Sequence, residues 1–332
     1  MPIDVTIAIC TYNGAKRFPQ VLEKLKLQKG IEGINWEILV VDNNSSDDTL
    51  KIVKNHQENW SQKCHLRYLF VPQQGLAIAR QKAVEEAKGE LIGFLDDDNL
   101  PHLHWVAAAY SFGRNYPQAG AYGSRIYGEF ETSPPDNFQR IAAFLALTDR
   151  GSQVRLYYPE KKVLPPGAGL VVRKQAWLAS VPKNCFLQGR VAGCQLPGED
   201  LEALLHIQKA DWEIWYNPKM QVDHQIPQHR LEKEQLLNLC RGVGLSRYHT
   251  RMLSFSSWQW PFVFPLYVIN DLRKLIAHFF KYGKQIKSDT VTACEMELIV
   301  GSLISPFYLG KQYLKQNLVN GGFGRGNLWI LR

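Results

Sequence analysis

Three consecutive aspartates, Asp96, Asp97 and Asp98, follow directly after an apolar run at residues 91–95. Neighbouring carboxylates repel one another, so a group of them is costly unless something positive binds there. Mg²⁺ and Mn²⁺ bind one or two protein carboxylates and take other oxygen ligands from substrate phosphates. The triplet therefore predicts a site for Mn²⁺ or Mg²⁺, and a solvated acidic turn is the alternative interpretation.

A second acidic pair, Glu199 and Asp200, opens a segment whose apolar spacing predicts a helix. Acidic residues in a first turn offset the helix dipole, which is a sufficient structural reason for them. A carboxylate fixed at a helix start can also act as a general base and take a proton from an attacking hydroxyl. The two side chains point in different directions, so only one of them can be that base.

Three histidines lie near these acids in the sequence. His224 follows a strand-like run at 214–222 and is a candidate ligand of the same metal or of a phosphate, although a lone histidine is more often a surface residue. Pro101 is predicted to begin a helix, and we therefore interpret His102 and His104 as structural.

The loop 166–169 contains Gly167 and Gly169. Glycine permits turns that other residues resist, and it also lets a ligand approach the backbone closely. The loop is therefore either a simple turn or a place where an acceptor approaches the chain.

Strand and helix patterns alternate through the first hundred residues. The predicted strands are 5–10, 36–41, 66–71 and 91–95. Such alternation predicts an α/β fold with a mostly parallel central sheet and helices on both faces. Ligands bind beyond the carboxyl ends of the strands in such sheets. Because the polar clusters 11–13, 42–48 and 96–99 each follow a strand, we expect them at one edge of the sheet.

Length and charge divide the chain into two parts. At 332 residues with 45% hydrophobic content, it can bury one large core and an appendage. Residues 1–225 carry 25 Lys and Arg against 25 Asp and Glu, whereas residues 226–332 carry 14 against 6. We predict a catalytic domain over 1–225, with a nucleotide-binding half at 1–119 and an acceptor-binding half at 120–225, followed by a basic, helical region at 226–332.

Cysteines and the N-terminus indicate the compartment. The six cysteines form no CxxC pair and no small-domain disulfide spacing, so we expect reduced thiols. The apolar run at 5–10 is too short for a signal sequence or a membrane span. We therefore expect a cytoplasmic protein.

Two uncharged runs, 252–270 and 298–310, mark the basic region, and prolines interrupt both. Between them, Leu272, Ile276 and Phe279 share one helical face with basic residues on the others. This pattern predicts peripheral contact of 252–310 with the inner face of an anionic membrane, or packing against the catalytic domain or a second subunit. Nucleic acid is not expected, because the aromatic residues do not interleave with Lys and Arg.

Five segments in this order and spacing resemble the family 2 glycosyltransferases of GT-A fold. They are residues 5–13, 40–45, 75–80, 94–99 and 198–200. The C-terminal arrangement is similar to that of glycosyltransferases of the hormogonium-polysaccharide type. The resemblance implies an inverting transfer of a sugar from a nucleoside diphosphate, UDP or TDP, to a glycan or lipid-linked glycan acceptor.

The resemblance also implies roles for individual residues. Residues assigned to the nucleotide sugar are Thr11, Tyr12, Asn13, Asp42, Asn43, Arg80, Asp96 and Asp97. Metal ligands would be Asp96 and Asp98 of the DXD motif, and Asp200 would be the base. From residue chemistry we add His224 as a further metal ligand and Gly167, Gly169 and Glu199 as acceptor contacts. Several uridine-nucleotide users carry a second aspartate at the position of Asn43, and this difference leaves the nucleotide base open.

Three other classes of protein share parts of this pattern of strands, helices and acidic residues. A nicotinamide-dependent oxidoreductase should show GxGxxG after the first strand, and this chain has one glycine there, Gly14. A sugar-1-phosphate nucleotidyltransferase shares the sheet and the metal but also needs a glycine-rich loop at that point. A non-catalytic membrane scaffold of the same fold is the third alternative, and intact Asp98 and Asp200 argue against it.

Overall fold

The four runs predicted as strands form the parallel part of the central sheet. They are Val5–Thr11 (β1), Trp36–Asp42 (β2), His65–Phe70 (β3) and Leu91–Asp96 (β4), in the order β3-β2-β1-β4. Every residue of β1 and β2 is buried, whereas the edge strand β3 is partly exposed. The computed structural model describes residues 2–60, 64–161, 163–191 and 194–319.

Helices cover both faces of this sheet, as predicted. They are Phe18–Lys26 (α1), Thr49–Glu58 (α2), Leu76–Glu86 (α3), Trp105–Asn115 (α4), Lys174–Ser180 (α5) and Glu199–Lys209 (α6). Successive residues of β1 alternate between two apolar clusters: Ile7 packs in one with Phe18 and Trp105, and Ala8 packs in the other with Ala83. This alternation follows from the two-residue period of a strand.

The remaining strands make the sheet mixed, so the prediction of a mostly parallel sheet was wrong in part. They are Asn99–Pro101 (β5), Ala119–Phe130 (β6), Arg155–Leu156 (β7), Val171–Arg173 (β8) and Glu213–Ile226 (β11), whereas Gly189–Val191 (β9) and Cys194–Leu196 (β10) form a separate two-stranded sheet. From β4 the order continues β8-β6-β11-β5. β8 runs antiparallel to β4 and β6, and β5 and β7 run antiparallel to β11. Among the described residues of the irregular segment 131–170, no crossover helix precedes β8, so nothing requires a parallel strand there.

Two local predictions in this half were also wrong. Pro101 ends the short strand β5, and the following helix begins only at Trp105. His224 lies inside the long strand β11 rather than in a loop after it, and its residue pairs with Asn99 of β5. Both differences place residues 98–102 directly beside β11.

The chain divides into two compact units. The first comprises Met1–Ser133, Leu145–Cys194 and Glu199–Gln228, and the second Pro134–Phe144, Gln195–Gly198 and His229–Arg332. Helices of the second unit are Lys233–Leu253 (α7), Trp260–Tyr282 (α8), Gln285–Ser288 (α9) and Thr290–Val319 (α10). Short 3-10 turns occur at Phe138–Arg140, Ala142–Leu145, Pro159–Lys161, Gln228–Leu231 and Ser257–Gln259.

Helices α7 and α10 pack closely through glycine. A Cβ atom on Gly244 would lie only 2.6 Å from the carbonyl oxygen of Leu298. α8 and α10 continue through Pro265 and Pro306, so the predicted interruptions were wrong. An internal proline removes one helical hydrogen bond and costs about 3 kcal/mol, which the packing of a long helix can offset.

One segment in the described part of the chain, Thr290–Leu314, is long and apolar enough to cross a membrane by length and composition alone. Its mean hydropathy is 1.2, and 44% of its most apolar stretch is buried. A helix at the core of a folded unit has the same properties.

Candidate active site

The carboxyl ends of β1, β2 and β4 meet at one edge of the sheet, as the sequence predicted. Thr11 pairs in register with Asp42, and Cys10 pairs with Asp96. The amide of Asn43 donates to the carbonyl oxygen of Thr11 at 2.8 Å. Three polar segments far apart in the sequence therefore come together.

Asp97 is held by the loop that follows β1. One carboxylate oxygen accepts from Thr11 Oγ1 at 2.8 Å, and Arg17 donates to both oxygens at 3.0 Å. A Cβ on Gly14 would lie 2.0 Å from Thr11 Oγ1, so only glycine fits beside this arrangement. Asp97 is 8% exposed, and in this conformation it fixes the loop that carries Tyr12.

Asp42 and Asn43 tie the ends of β2 and β3 together. Asp42 is 2% exposed and accepts from the Tyr68 hydroxyl at 2.8 Å and from an amide of the next loop. The Asn43 amide group donates to the carbonyl oxygens of Val71 and Gln73, and its oxygen accepts from an amide. A carboxylate cannot donate, so an aspartate at position 43 would lose these two bonds.

Tyr12 and Asn13 lie at the rim of the same edge. Tyr12 is 49% exposed, so its ring is open to a ligand. Asn13 has a left-handed backbone with φ of 52°, and its side-chain oxygen accepts from the amide of Ser46 at 2.8 Å. The β1 and β2 loops are thereby joined beside the exposed ring.

Arg80 is the buried cation of the site. Its guanidinium donates to Asp96 at 3.2 Å and to Glu199 at 3.4 Å. Burial raises the pKa of Glu199 to about 7, with a further contribution from Asp200. Burial also raises the pKa of Asp96, while Arg80 opposes that rise. The arginine Nε atom is buried and has no hydrogen-bond partner among the described residues.

Asp98 and His224 face each other across the β4–β5 turn and β11. The Nε2 atom of His224 lies 3.5 Å from a carboxylate oxygen of Asp98. The Nδ1 atom lies 2.9 Å from the carbonyl oxygen of Leu145, which can only accept, so Nδ1 carries the proton. When the ring is neutral, the lone pair of Nε2 faces the negatively charged carboxylate, and the two repel each other. A cation bound between Nε2 and the Asp98 carboxylate would remove that repulsion.

Asp200 is the second residue of helix α6, and both of its carboxylate oxygens are bonded to the backbone. One oxygen accepts from the amide of Gly167 at 2.6 Å, and the other accepts from the amide of Leu201 at 2.7 Å. A Cβ on Gly167 would lie 2.5 Å from the Arg80 guanidinium, so that glycine is required by close approach. Gly169 has a left-handed φ of 62°, which is a turn requirement.

The predicted site residues are therefore brought together in a connected set. Arg80 joins Asp96 to Glu199, and Asp200 neighbours Glu199 in the chain. Glu199, predicted to contact an acceptor, is buried against Arg80, with 9% of its side chain exposed. Arg17 was missed because no spacing rule marks a lone arginine in a loop, yet it lies beside Asp97 and is half-exposed at the edge.

Asp98 and His224 are the pair predicted to bind a metal and could offer it one oxygen and one nitrogen, and Asp96 lies two residues from Asp98 with a third of its side chain exposed. In the described part of the chain, no three His, Cys, Asp or Glu side chains form a ready-made ligand group.

A separate cavity of about 900 Å³ opens beside β5, where His102 pairs with Asp223 at 3.0 Å. Lys24 and Lys219 also line it, but none of the three aspartates does. We place the candidate site at the three aspartates, because the buried cation Arg80 and the Asp200 carboxylate, which two backbone amides hold in one orientation, lie beside them.

Comparison with known proteins points to one family. Residues 6–176 match the family described as Glycosyl transferase family 2, which is more than half of the chain. Glycosyltransferase AglE of Haloferax volcanii is 32% identical over 108 residues, which are 32% of this chain and 34% of that protein. The uncharacterized glycosyltransferase YfnE of Bacillus subtilis is 29% identical over 153 residues, 44% of this chain and 38% of that protein.

A solved structure shares the fold. The mannosyltransferase PcManGT of Pyrobaculum calidifontis, in complex with GDP-Man and Mn²⁺, superposes with a TM-score of 0.57 and 16% identity. The match covers 92% of this chain and 89% of that one. This likeness supports a GT-A-like α/β fold with a mixed central sheet.

Proposed function

This chain belongs to glycosyltransferase family 2, and from that premise we propose that it transfers a sugar from a nucleoside diphosphate to an acceptor hydroxyl with inversion. The observation that carries the proposal is the position of Asp200. Its carboxylate is fixed by two backbone amides at a helix start, next to the network of Arg80 and Asp96. A base held in one orientation suits a single in-line displacement.

In the proposed reaction, Asp200 accepts the proton of the acceptor hydroxyl. The oxygen of that hydroxyl attacks the anomeric carbon from the face opposite the diphosphate. A new glycosidic C–O bond forms as the bond to the diphosphate breaks, and the bonding pair leaves with the nucleoside diphosphate. One displacement at carbon inverts its configuration.

The donor would lie at the edge formed by β1, β2 and β4. The half-exposed ring of Tyr12 offers a surface on which the base can stack, and Arg17 can pair with phosphate. Asp98 and His224, with Asp96, would hold Mn²⁺ or Mg²⁺, which when bound neutralises charge on the leaving diphosphate. UDP and TDP are the nucleotides proposed from the sequence resemblance.

The proposed acceptor is a glycan or lipid-linked glycan, in polysaccharide or glycolipid synthesis of the hormogonium-polysaccharide type. The protein would work in the cytoplasm, peripherally on the inner face of the membrane. Support comes from the exposed apolar side chains of α8, including Phe262 and Phe280.

The test measures nucleoside diphosphate release from a panel of UDP- and TDP-sugars, with Mn²⁺ and with or without added glycan acceptors. We expect Asp200→Asn to lower turnover about 100- to 10,000-fold, the range that a general base contributes, with donor affinity unchanged. The matched control is Asp211→Asn, an exposed aspartate just beyond the same helix, which should keep full turnover. Equal turnover in the two variants would remove Asp200 as the base.

A further inference from the structure

Helix α8 presents an apolar face that the described part of the chain leaves uncovered. Successive helical residues rotate by about 100°, which places Phe262, Ile269, Ile276 and Phe280 in one narrow stripe. The exposed Arg273 lies within the same stripe, as its single charged member. Their exposed fractions are 71%, 62%, 55% and 83%. An exposed apolar stripe of this length indicates a binding surface.

A basic cavity opens beside that stripe within the second unit. Its volume is about 420 Å³, and its lining includes Arg247, Arg273, Lys274 and Lys281. Lys274 and Lys281 lie about two helical turns apart on the flank of the stripe, roughly 100° to 120° round the helix from Phe280. The apolar face and the cavity are therefore two sides of the same helix.

The charge in this cavity is not neutralised by nearby acids. Glu295 also lines it, but both of its oxygens accept from Arg140. Asp271 lies close by, but Arg251 and the Ser302 hydroxyl hold its carboxylate.

Arg247 lines the cavity from α7 and is partly buried. No carboxylate pairs with it among the residues that the structure describes. Burial lowers the pKa of its guanidinium from the usual value, and the neighbouring Arg251 adds to that effect. An arginine that is partly removed from water without a partner gains most from an anionic ligand.

We propose that this cavity binds the phosphate of a bilayer lipid, while the apolar stripe of α8 lies among the acyl chains. Arg and Lys recognise phosphate through charge-assisted hydrogen bonds. A helix with an apolar face and a basic flank lies in the plane of an anionic membrane. Charge complementarity therefore selects a lipid with an anionic headgroup, and the cavity gives that headgroup a defined place.

This inference rests on the proposed membrane contact and is independent of the transfer chemistry. Membrane contact alone would involve only diffuse attraction between basic side chains and anionic lipid, and the inference adds a specific phosphate site. The two contributions can be measured separately, because lysines outside the cavity contribute to the diffuse attraction only.

The experiment measures partition of the full chain onto phosphatidylcholine vesicles with and without phosphatidylglycerol. The cavity variant is Lys274→Gln with Lys281→Gln. The matched control is Lys284→Gln with Lys287→Gln, which removes the same charge from exposed positions just beyond α8. A third variant, Ile269→Ser with Ile276→Ser, tests the stripe.

Diffuse attraction contributes about fivefold to partition for each basic side chain near an anionic surface, so the control variant should bind anionic vesicles at most roughly 25-fold more weakly. The cavity variant should lose more than the control, because it removes the phosphate contacts in addition to the same charge. Equal losses in the two lysine variants would overturn the phosphate site and leave the membrane contact standing. Wild-type protein that binds neither kind of vesicle would overturn both.

Two further measurements test other occupants. Stabilisation against heat by inorganic phosphate, lost in the cavity variant and without vesicle binding, would assign the cavity to soluble phosphate and overturn the lipid source. A dimer seen by light scattering without lipid, and dissociated by the stripe variant, would assign the stripe to a second copy of the chain. Nucleotide release plays no part in these assays, so a failure of the donor site is detected separately.

Discussion

Replacing Arg80 by Met should destabilise the protein in a pH-dependent way. The methionine fills a similar volume but removes the positive charge that lies 3.2 Å from Asp96 and 3.4 Å from Glu199. Arg80 is 3% exposed, so water cannot replace the lost contact. Two carboxylates would then lie together without their counter-charge.

The magnitude depends on how buried each carboxylate is. Removing one partner of a buried ion pair costs about 3–5 kcal/mol. Asp96 contributes little of this because 33% of its side chain is exposed, whereas Glu199 is 9% exposed. We expect a loss of about 3 kcal/mol at pH 8, where Glu199 is ionised in the wild type and pairs with Arg80, and a loss about 1.4 kcal/mol smaller at pH 5, where Glu199 already holds a proton.

The assay is urea denaturation of the full chain at both pH values. A double variant, Arg80→Met with Glu199→Gln, removes the buried charge together with its partner and should recover most of the lost stability at pH 8. The reasoning is refuted if the loss is the same at pH 5 and pH 8, or if the double variant is no more stable than Arg80→Met.

Two further predictions concern stability. Because the pKa of Glu199 rises from 4.5 to about 7 on folding, its protonated form stabilises the fold fully below pH 4.5, and that contribution is lost as pH rises through 7. The free energy of unfolding, measured by urea denaturation, should therefore change by about 3 kcal/mol less between these pH values in Glu199→Gln than in the wild type. An unchanged pH dependence would contradict the raised pKa of Glu199. Gly244→Ala should cost about 1–3 kcal/mol in thermal unfolding, because the new methyl would lie 2.6 Å from the Leu298 carbonyl; a neutral effect would show that α7 and α10 pack less closely.

The alternating strands and helices of the first hundred residues could be predicted from the sequence, because the spacing of apolar residues that marks each element lies within that element. The strand ends fixed the edge at which Thr11, Asp42 and Asp96 meet, and that prediction was confirmed. The direction of β8 was not readable, since a three-residue strand carries no periodic signal and its neighbours come from distant segments.

Side-chain partnerships were the least readable part of the site. The type of residue at position 97 gives no sign that Arg17 and Thr11 hold it, because the two partners lie 80 and 86 residues away in the sequence. The bond from His224 Nδ1 to the Leu145 carbonyl is equally non-local. Roles predicted for these residues stay predictions until they are measured.

Nucleotide binding tests the central claim most directly. The measurement is thermal unfolding of the full chain with UDP, TDP, GDP or NADH, each with and without Mn²⁺, for the wild type, Asp98→Asn and the control Asp223→Asn. A nucleotide at 100 times its Kd stabilises by about 2.7 kcal/mol. We predict that one nucleoside diphosphate stabilises the wild type and the control, that it needs Mn²⁺, and that Asp98→Asn abolishes the effect. Stabilisation by NADH alone, or by no ligand in a well-folded sample, would contradict a donor site at these aspartates.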